Sequence, residues 1–430
     1  MKPIVAVDIV VPTYRCDTKV LKKILALRAS VPAIVSFWIV IDNPSSPFID
    51  DVRRLECNSD NYSVNIREHR SNWGASAARN TGMDYSDADW IILLDDDVTP
   101  DSSLLDAYIG GIFRFPNASV LVGSTHLPIP HNLVTKAMVA CDLIGSYVIA
   151  ERRVDPPWGV TANLCVKGRS SRVRFDLQYP KTGGGEDIDY CIRAAKSGIT
   201  SGVSGGTSAS IVAVPGALAD HPWWDDGRLS SLRHIMGWAV GESLCVSSIH
   251  LKEHVYFAAP NAIEICLVSL LVGMLLELGS TTSHWWIDTQ QCVEVSRRSS
   301  PHFQSWSDLF MSLLIILVLE ILWHSNNAHR RATKLFHDLP LIQREFITLC
   351  GAVLVILQEY ARCVAHIRRG AVFNLCWRFD WLCGKNSSYI QHLKRLLAVK
   401  ALFYLAVLLY FQRNLLVVAL NMFNSMTITM

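Results

Sequence analysis

Two kinds of sequence meet near residue 254, and the second kind limits what the chain can become more than any motif does. Residues 255–278 (VYFAAPNAIEICLVSLLVGMLLEL) and 309–323 (LFMSLLIILVLEILW) are apolar at the scale of a bilayer core, roughly 20 residues with their flanks. Both are expected to span a membrane. Residues 346–358 (FITLCGAVLVILQ) form a shorter run, which fits a re-entrant, interfacial or buried segment. The run 396–423 is broken by Gln412-Arg413-Asn414, so 396–411 is read as a span and its tail as interfacial. The expectation is roughly two to four spans within residues 251–430.

Lys and Arg accumulate on the cytoplasmic side of membrane proteins. The loop 325–345 carries Arg330, Arg331, Lys334 and Arg344, against Arg297 and Arg298 in 280–305. Residues 362–395 add Arg362, Arg368, Arg369, Arg378, Lys385, Lys394 and Arg395. These basic loops share the cytosol with residues 1–250 provided that 346–358 does not cross. Glu264, Glu277 and Glu320 lie in or beside the apolar runs, either lining a polar path or sitting at helix ends. A multi-pass integral protein with membrane lipids as partners is expected, its address among plasma membrane, Golgi and ER left open.

Residues 1–250 have the other texture, short apolar runs separated by Gly, Ser, Asp and Asn, so the overall 50% hydrophobic and 18% charged composition averages two populations. Lys+Arg 40 against Asp+Glu 38 leaves a net charge of +2, too balanced for a phosphate-backbone binding surface, and nucleic acid is not expected as a partner. The cysteines are scattered without a Cys-x-x-Cys pair, which signals neither a zinc site nor a disulfide framework. MKPIVAVDIVVPTYR lacks the pattern of a signal peptide, so export of the first domain is not expected.

VDIVVP (7–12), FWIVID (37–42), VNIRE (64–68) and WIILLDDD (90–97) read as buried strands that end in polar residues, with helices at Lys19–Ala29 and Ala75–Tyr85 between them. Such alternation predicts an α/β domain with a mostly parallel sheet and its ligands at the carboxyl ends of the strands. Thr13, Asp42 and Asp95–Asp97 fall there.

Asp95-Asp96-Asp97 leaves one strand end with no basic neighbour in sequence, and its repulsion calls for a cation such as Mg²⁺ or Mn²⁺ shared with phosphates. A solvated acidic turn or helix cap before Pro100 is the bland alternative. GGGEDIDYCIR (183–193) feeds Glu186, Asp187 and Asp189 from a flexible glycine loop into a helix start. An acidic first turn is also ordinary capping, but beside a metal-type cluster it is the layout of a general base facing a metal–diphosphate site.

Seen together, VVPTYR, strand-end Asp42, SNWGASAARNTGM (71–83), LLDDDVTPDSSLL (94–105), VTANLCVKG (160–168), RFD (174–176) and GGGEDIDYCIR resemble glycosyltransferase family 2 over about residues 7–245. The resemblance implies a GT-A, Rossmann-like domain and an inverting, metal-dependent hexosyl transfer from a nucleoside diphosphate sugar, with a UDP-sugar as the expected donor, to a glycan or lipid-linked acceptor. GGGEDID is also similar to the acceptor motif of β-galactosyltransferases, which often use Mn²⁺. By this resemblance Pro12, Thr13, Arg15, Asp42 and Arg79 would hold the uracil and ribose. Asp95 and Asp96 would face the donor, Asp97 with Asp95 would ligate the metal, and Asp187 would be the base with Glu186 orienting the acceptor. His221, in ALADHPWWDDGR, would be the third ligand or a histidine packed on Trp223 and Trp224.

Trp158, Asn163, Gly184, Gly185, Trp223, Trp224 and Trp238 are assigned to the acceptor side, the tryptophans alternatively to a seal at the bilayer surface. SSLRHIMGWAVGES (230–243) lacks the Gln-x-x-Arg-Trp of processive synthases, and Arg233 either neutralises the diphosphate or anchors an interfacial helix. A processive polysaccharide synthase and a silent nucleotide-binding scaffold are the alternatives. SGVSGGTSAS (201–210) reads as a surface loop or linker, and Asn61, Asn117 and Asn386 match glycosylation acceptors, silent on the cytosolic side.

Overall fold

In the computed structural model, residues 4–59, 62–181, 183–200, 210–287, 306–381 and 387–412 are described. The chain divides into two compact units, Met1–Val255 with Phe379–Gly384, and Tyr256–Arg378 with Lys385–Met430. The return of Phe379–Gly384 to the first unit differs from a division at a single point of the chain. Its reason is local bonding: Asp380 donates its backbone N–H to the His254 carbonyl at 2.7 Å, and the Trp381 carbonyl accepts the Trp158 indole N–H at 3.0 Å.

The first unit opens with β1 (Val5–Thr13), α1 (Thr18–Leu25), β2 (Ala33–Ile41), α2 (Ile49–Arg53), β3 (Cys57–Ser59), β4 (Tyr62–Glu68), α3 (Ala75–Tyr85) and β5 (Trp90–Leu94). It continues through β6 (Thr99–Pro100), α4 (Leu104–Arg114), β7 (Val120–His126), α5 (Leu133–Ala140), α6 (Ile149–Arg152), β8 (Asn163–Lys167), α7 (Glu186–Thr200), β9 (Ile211–Asp220) and α8 (Leu232–Ser247). The sheet order is β3-β4-β2-β1-β5-β8-β7-β9-β6. β1 and β5 are buried almost throughout, which is why they read as continuous Val, Ile and Leu rather than as alternation.

β4, β2, β1 and β5 pair in parallel, β8 runs against β5, and β7 runs against β8. Two reversals restore the direction, and β9 pairs parallel with β7. The carboxyl ends of β1, β2, β5 and β9 therefore share one edge of the sheet, which brings Thr13, Asp42, Asp95–Asp97 and His221 to the same side. The sequence reading of 201–210 falls on residues 201–209, outside those described, as do Asn61, Asn386 and the tail beyond Gln412.

The second unit contains α9 (Ala262–Ile287), α10 (Trp306–Leu335), α11 (Leu341–Arg368) and α12 (Ser388–Phe411). Among the described residues, α10 and α11 are long and apolar enough to cross a membrane, with mean hydropathies of 1.9 and 1.6 in their best windows. The short-segment reading of 346–358 is thus replaced by a continuous helix of 28 residues. Its flanks, including Gln343, Arg344 and Glu345, are polar but helical, so the apolar run alone understated its length. The helix α9 begins only at Ala262, so residues 258–261 of the apolar run lie outside it. Buried Glu264 meets Arg362 at 2.6 Å and Arg378 at 2.8 Å, and buried Glu320 meets Lys400 at 2.8 Å, whereas Glu277 is exposed. Glu264 stands in the first turn of α9, as a helix-end position predicts, and is ion-paired there, whereas Glu320 lies within α10 and is paired with Lys400 of α12.

Candidate functional site

The three consecutive aspartates after β5 have three different tasks. Asp96 is buried and accepts hydrogen bonds from the Thr13 hydroxyl at 2.8 Å and from the Tyr14 and Arg15 backbone N–H groups at 3.1 Å, and it also pairs with the Arg15 guanidinium. Its carboxylate is spent on shaping the turn after β1. Asp42 does the same for the next loop, accepting the Trp73 N–H at 2.8 Å and the Gly74 N–H at 2.7 Å and bonding His69 Nδ1 at 2.8 Å. The two residues expected at the donor are thus engaged by the loops around them. Pro12 lies inside β1, paired with Val40, and Arg15 remains open, with Nη2 2.9 Å from Asp97 Oδ2.

Asp95 and Asp97 point the other way. With His221 they place three ligand atoms within 4.8 Å of one another. Asp97 Oδ1 is buried without a hydrogen-bond partner, 3.5 Å from His221 Nε2. His221 Nδ1 lies 2.6 Å from the Pro222 carbonyl, so Nδ1 carries the proton and Nε2 presents its lone pair. Burial, offset in part by His221, raises the Asp97 carboxyl above its ordinary value, as expected of an acidic group waiting for a counter-ion. An orphaned buried oxygen, a second carboxylate and a correctly protonated imidazole together fit a divalent cation.

Arg79 connects this group to the glycine loop. It is buried on α3, donates from Nη2 to Asp95 at 2.6 Å, and its Nε and Nη1 have no partner. Burial pulls the guanidinium down, but Asp95, Glu186 and Asp187 together outweigh it and leave it above its ordinary value. Glu186 accepts the Gly184 N–H at 2.5 Å, which turns the loop back onto the start of α7. Burial, then the neighbouring Glu186, push Asp187 well above the usual carboxylate range. Asp189, the third acid of the run, is buried against Arg193 at 2.6 Å and serves the helix.

The glycines of the loop are required by a close approach. Gly184 has φ +129°, and a Cβ there would stand 2.6 Å from the Gly237 carbonyl oxygen of α8, while one on Gly185 would meet Cys245 and Gly241 at 2.9 Å. These close approaches seat the loop on α8. From the same helix Trp238 meets Trp224 at 5.2 Å, and Trp224 in turn packs on His221 at 5.0 Å and His234 at 5.7 Å. Trp223 is buried and bonds the Pro128 carbonyl at 3.0 Å. Arg233 is exposed at the start of α8.

Two expected acceptor residues stand elsewhere. Asn163 is fully buried, with Nδ2 donating to the Ser124 and Ala217 carbonyls and Oδ1 accepting from Tyr108, so it has no free polar atom for a sugar. Trp158 is buried against Trp381. Sequence reasoning missed Tyr147 and His234. Tyr147 packs edge-on against His221 at 5.7 Å and Trp224 at 5.5 Å, and no motif in GSYV announces it.

Residues 8–128 match the profile of glycosyl transferase family 2. Similar solved structures include a mannosyltransferase from Pyrobaculum calidifontis in complex with GDP-Man and Mn²⁺, at 12% identity, covering 84% of this chain and 88% of that one with a TM-score of 0.47. Residues 1–349 of S. aureus TarS align at 10% identity over 85% of this chain and 92% of that one, TM-score 0.36. GalNAc-T7 with UDP, GalNAc and Mn²⁺ aligns at 10% identity over 56% and 48%, TM-score 0.37. No curated protein matches the chain. The family match lies within the first unit and runs from β1 to just past β7.

Proposed function

We propose that the protein is a membrane-associated inverting glycosyltransferase that takes a sugar from a nucleoside diphosphate donor, UDP-linked, and passes it to a hydroxyl of a glycan or lipid-linked acceptor. The observation that carries this reading is the grouping of Asp95, Asp97 and His221, joined through Asp95 to Arg79, a guanidinium that also senses the charges of Glu186 and Asp187. Asp95, Asp97 and His221 would hold Mn²⁺ or Mg²⁺, which when bound offsets the negative charge of the leaving diphosphate. Arg15, beside Asp97 and open to solvent, adds a fixed cation for the same phosphates. Thr13 and the backbone shaped by Asp96 and Asp42 form the floor under the nucleoside.

Asp187 takes the proton of the acceptor hydroxyl as its oxygen bonds to the anomeric carbon, while the bond from that carbon to the phosphate oxygen breaks. Its raised affinity for a proton suits a base in a half-buried site. Glu186, fixed by the Gly184 N–H, orients the acceptor, and one base without a covalent nucleophile gives inversion. A catalytic unit at the membrane surface would receive its acceptor from the bilayer, since α10 and α11 are long and apolar enough to cross it.

A screen of nucleoside diphosphate release across sugar donors, run with purified protein and Mn²⁺ and followed by linkage analysis of the product, tests the reading. Inverted single-sugar products are expected. Long polymers would favour a processive synthase, and silence with every donor would leave a nucleotide-binding scaffold.

A further inference from the structure

The chain between β8 and α7, residues 168–185, carries the glycine loop and is held by side chains from elsewhere. Much of that hold comes from α3. Asn80 grips Phe175 by both backbone groups, its Nδ2 donating to the Phe175 carbonyl at 2.9 Å and its Oδ1 accepting the Phe175 N–H at 2.7 Å. One turn further along α3, Asp84 meets Arg174 Nε at 2.6 Å. That pair is open to solvent at its aspartate and contributes little. The amide of Asn80 instead copies a peptide group; a carboxylate in its place would only accept, and a methyl would do neither.

Phe175, once placed, reaches both parts of the candidate site. Its buried ring stacks on Tyr190 of α7, with ring centroids 4.3 Å apart and an interplanar angle of 15°. Tyr190 stands one helical turn beyond Glu186 and Asp187, so the three are neighbours on α7. The guanidinium carbon of Arg79 lies over the same ring, 5.6 Å from its centroid, and Arg79 Nη2 reaches Asp95 at 2.6 Å. A single ring thus contacts the helix that carries the acids and the arginine that reaches the cation group.

We propose that Asn80 is a positioning residue for transfer. By fixing the Phe175 backbone it sets where the ring stands, and the ring holds Glu186 and Asp187 of α7 in register with Arg79 and Asp95. Asn80 acts through Phe175 and not on the substrate. The inference rests on the function proposed above and goes beyond it, assigning the alignment of base and cation to a pair of bonds that neither of them makes.

Asn80→Ala removes both bonds, and Phe175→Leu keeps an apolar side chain while removing the ring faces. With the sugar nucleotide that the wild type turns over, each is expected to lower kcat roughly 10–100-fold, the scale of a misplacement of about 1 Å. The donor KM, and the affinity for UDP with Mn²⁺ read by titration calorimetry, are expected to stay within about twofold, because Arg79 keeps its bond to Asp95. Both changes cut one link, so the double variant is expected to be no slower than the slower single variant. Asn80→Asp, which keeps the acceptor for the Phe175 N–H, is expected to fall between wild type and Asn80→Ala, and it carries the comparison should Asn80→Ala not fold. Wild-type kcat in either single variant, UDP affinity lost in parallel with kcat, or losses that multiply in the double variant overturn the inference alone. Wild-type protein that turns over no sugar nucleotide overturns the proposed function and this inference with it.

Discussion

His221 Nε2 stands 3.5 Å from Asp97 Oδ1, a buried oxygen with no hydrogen-bond donor. The gap is too long for a direct bond, and the Pro222 carbonyl fixes the proton on the far nitrogen, so neither atom satisfies the other. Two facing lone pairs with Asp95 alongside are satisfied together by a cation. Replacing His221 by Ala is expected to weaken Mn²⁺ binding by roughly 10–100-fold with the fold retained. Calorimetric titration of the purified protein checks this, and unchanged Mn²⁺ affinity would return His221 to the aromatic cluster around Trp224.

Asp187 is poised at a cost to the folded state. Its folded value lies above the ordinary 3.8 because of burial and Glu186, so its contribution to stability is full at low pH and is lost as pH rises through the folded value. At neutral pH Asp187→Asn removes that cost. The variant is expected to melt about 2–4 °C higher while losing transfer by roughly 10²–10⁴-fold, with nucleotide affinity kept. Wild-type transfer should fall on acidification with a limb above the ordinary carboxylate value, since the base must be ionised. A thermal scan paired with a pH–rate profile reads both, and a destabilised Asp187→Asn would assign the residue to structure.

Neighbouring aspartates should separate cleanly in mutants. Asp96→Ala leaves the Thr13 hydroxyl, two backbone N–H groups and Arg15 Nη1 without their acceptor, and a loss of about 3 kcal/mol is expected, together with loss of nucleotide binding. Asp97→Ala removes no comparable set of bonds, and its effect should be confined to cation binding and transfer. Urea unfolding monitored by intrinsic fluorescence distinguishes them; equal stability of the two variants would contradict the division of labour.

The parallel half of the sheet was legible in the sequence, because strands buried on both faces leave runs such as WIILL and carboxylates at their ends. The cation group was partly legible for the same reason. What sequence could not show was which acid faces inward: Asp95, Asp96 and Asp97 are one motif in one dimension, and only the turn of Thr13–Arg15 over Asp96 separates their roles. Asn163 misled because a polar residue in a strand looks available until its partners Ser124, Ala217 and Tyr108 are known. Tyr147 sits in an apolar segment, and nothing in its sequence announces that its ring packs on His221 and Trp224. The length of α11 was hidden by polar residues that continue its helix.

In the second unit, Glu320 of α10 accepts from Lys400 at 2.8 Å and from the Tyr404 hydroxyl at 2.6 Å, both on α12, and His324 lies at 3.0 Å. All of this lies between apolar helices, where an unpaired charge is costly and its partner specifies how the helices dock. Glu320→Leu alone strands the Lys400 ammonium, and a loss of roughly 3–5 kcal/mol is expected. Pairing it with Lys400→Met removes both charges and should return most of that loss, since an apolar pair of similar volume is often neutral or better. Unfolding in detergent micelles by graded denaturant compares the single and double variants. A double variant as unstable as Glu320→Leu would mean that the hydrogen bonds of Tyr404 and His324, not the ion pair, hold α12 to α10.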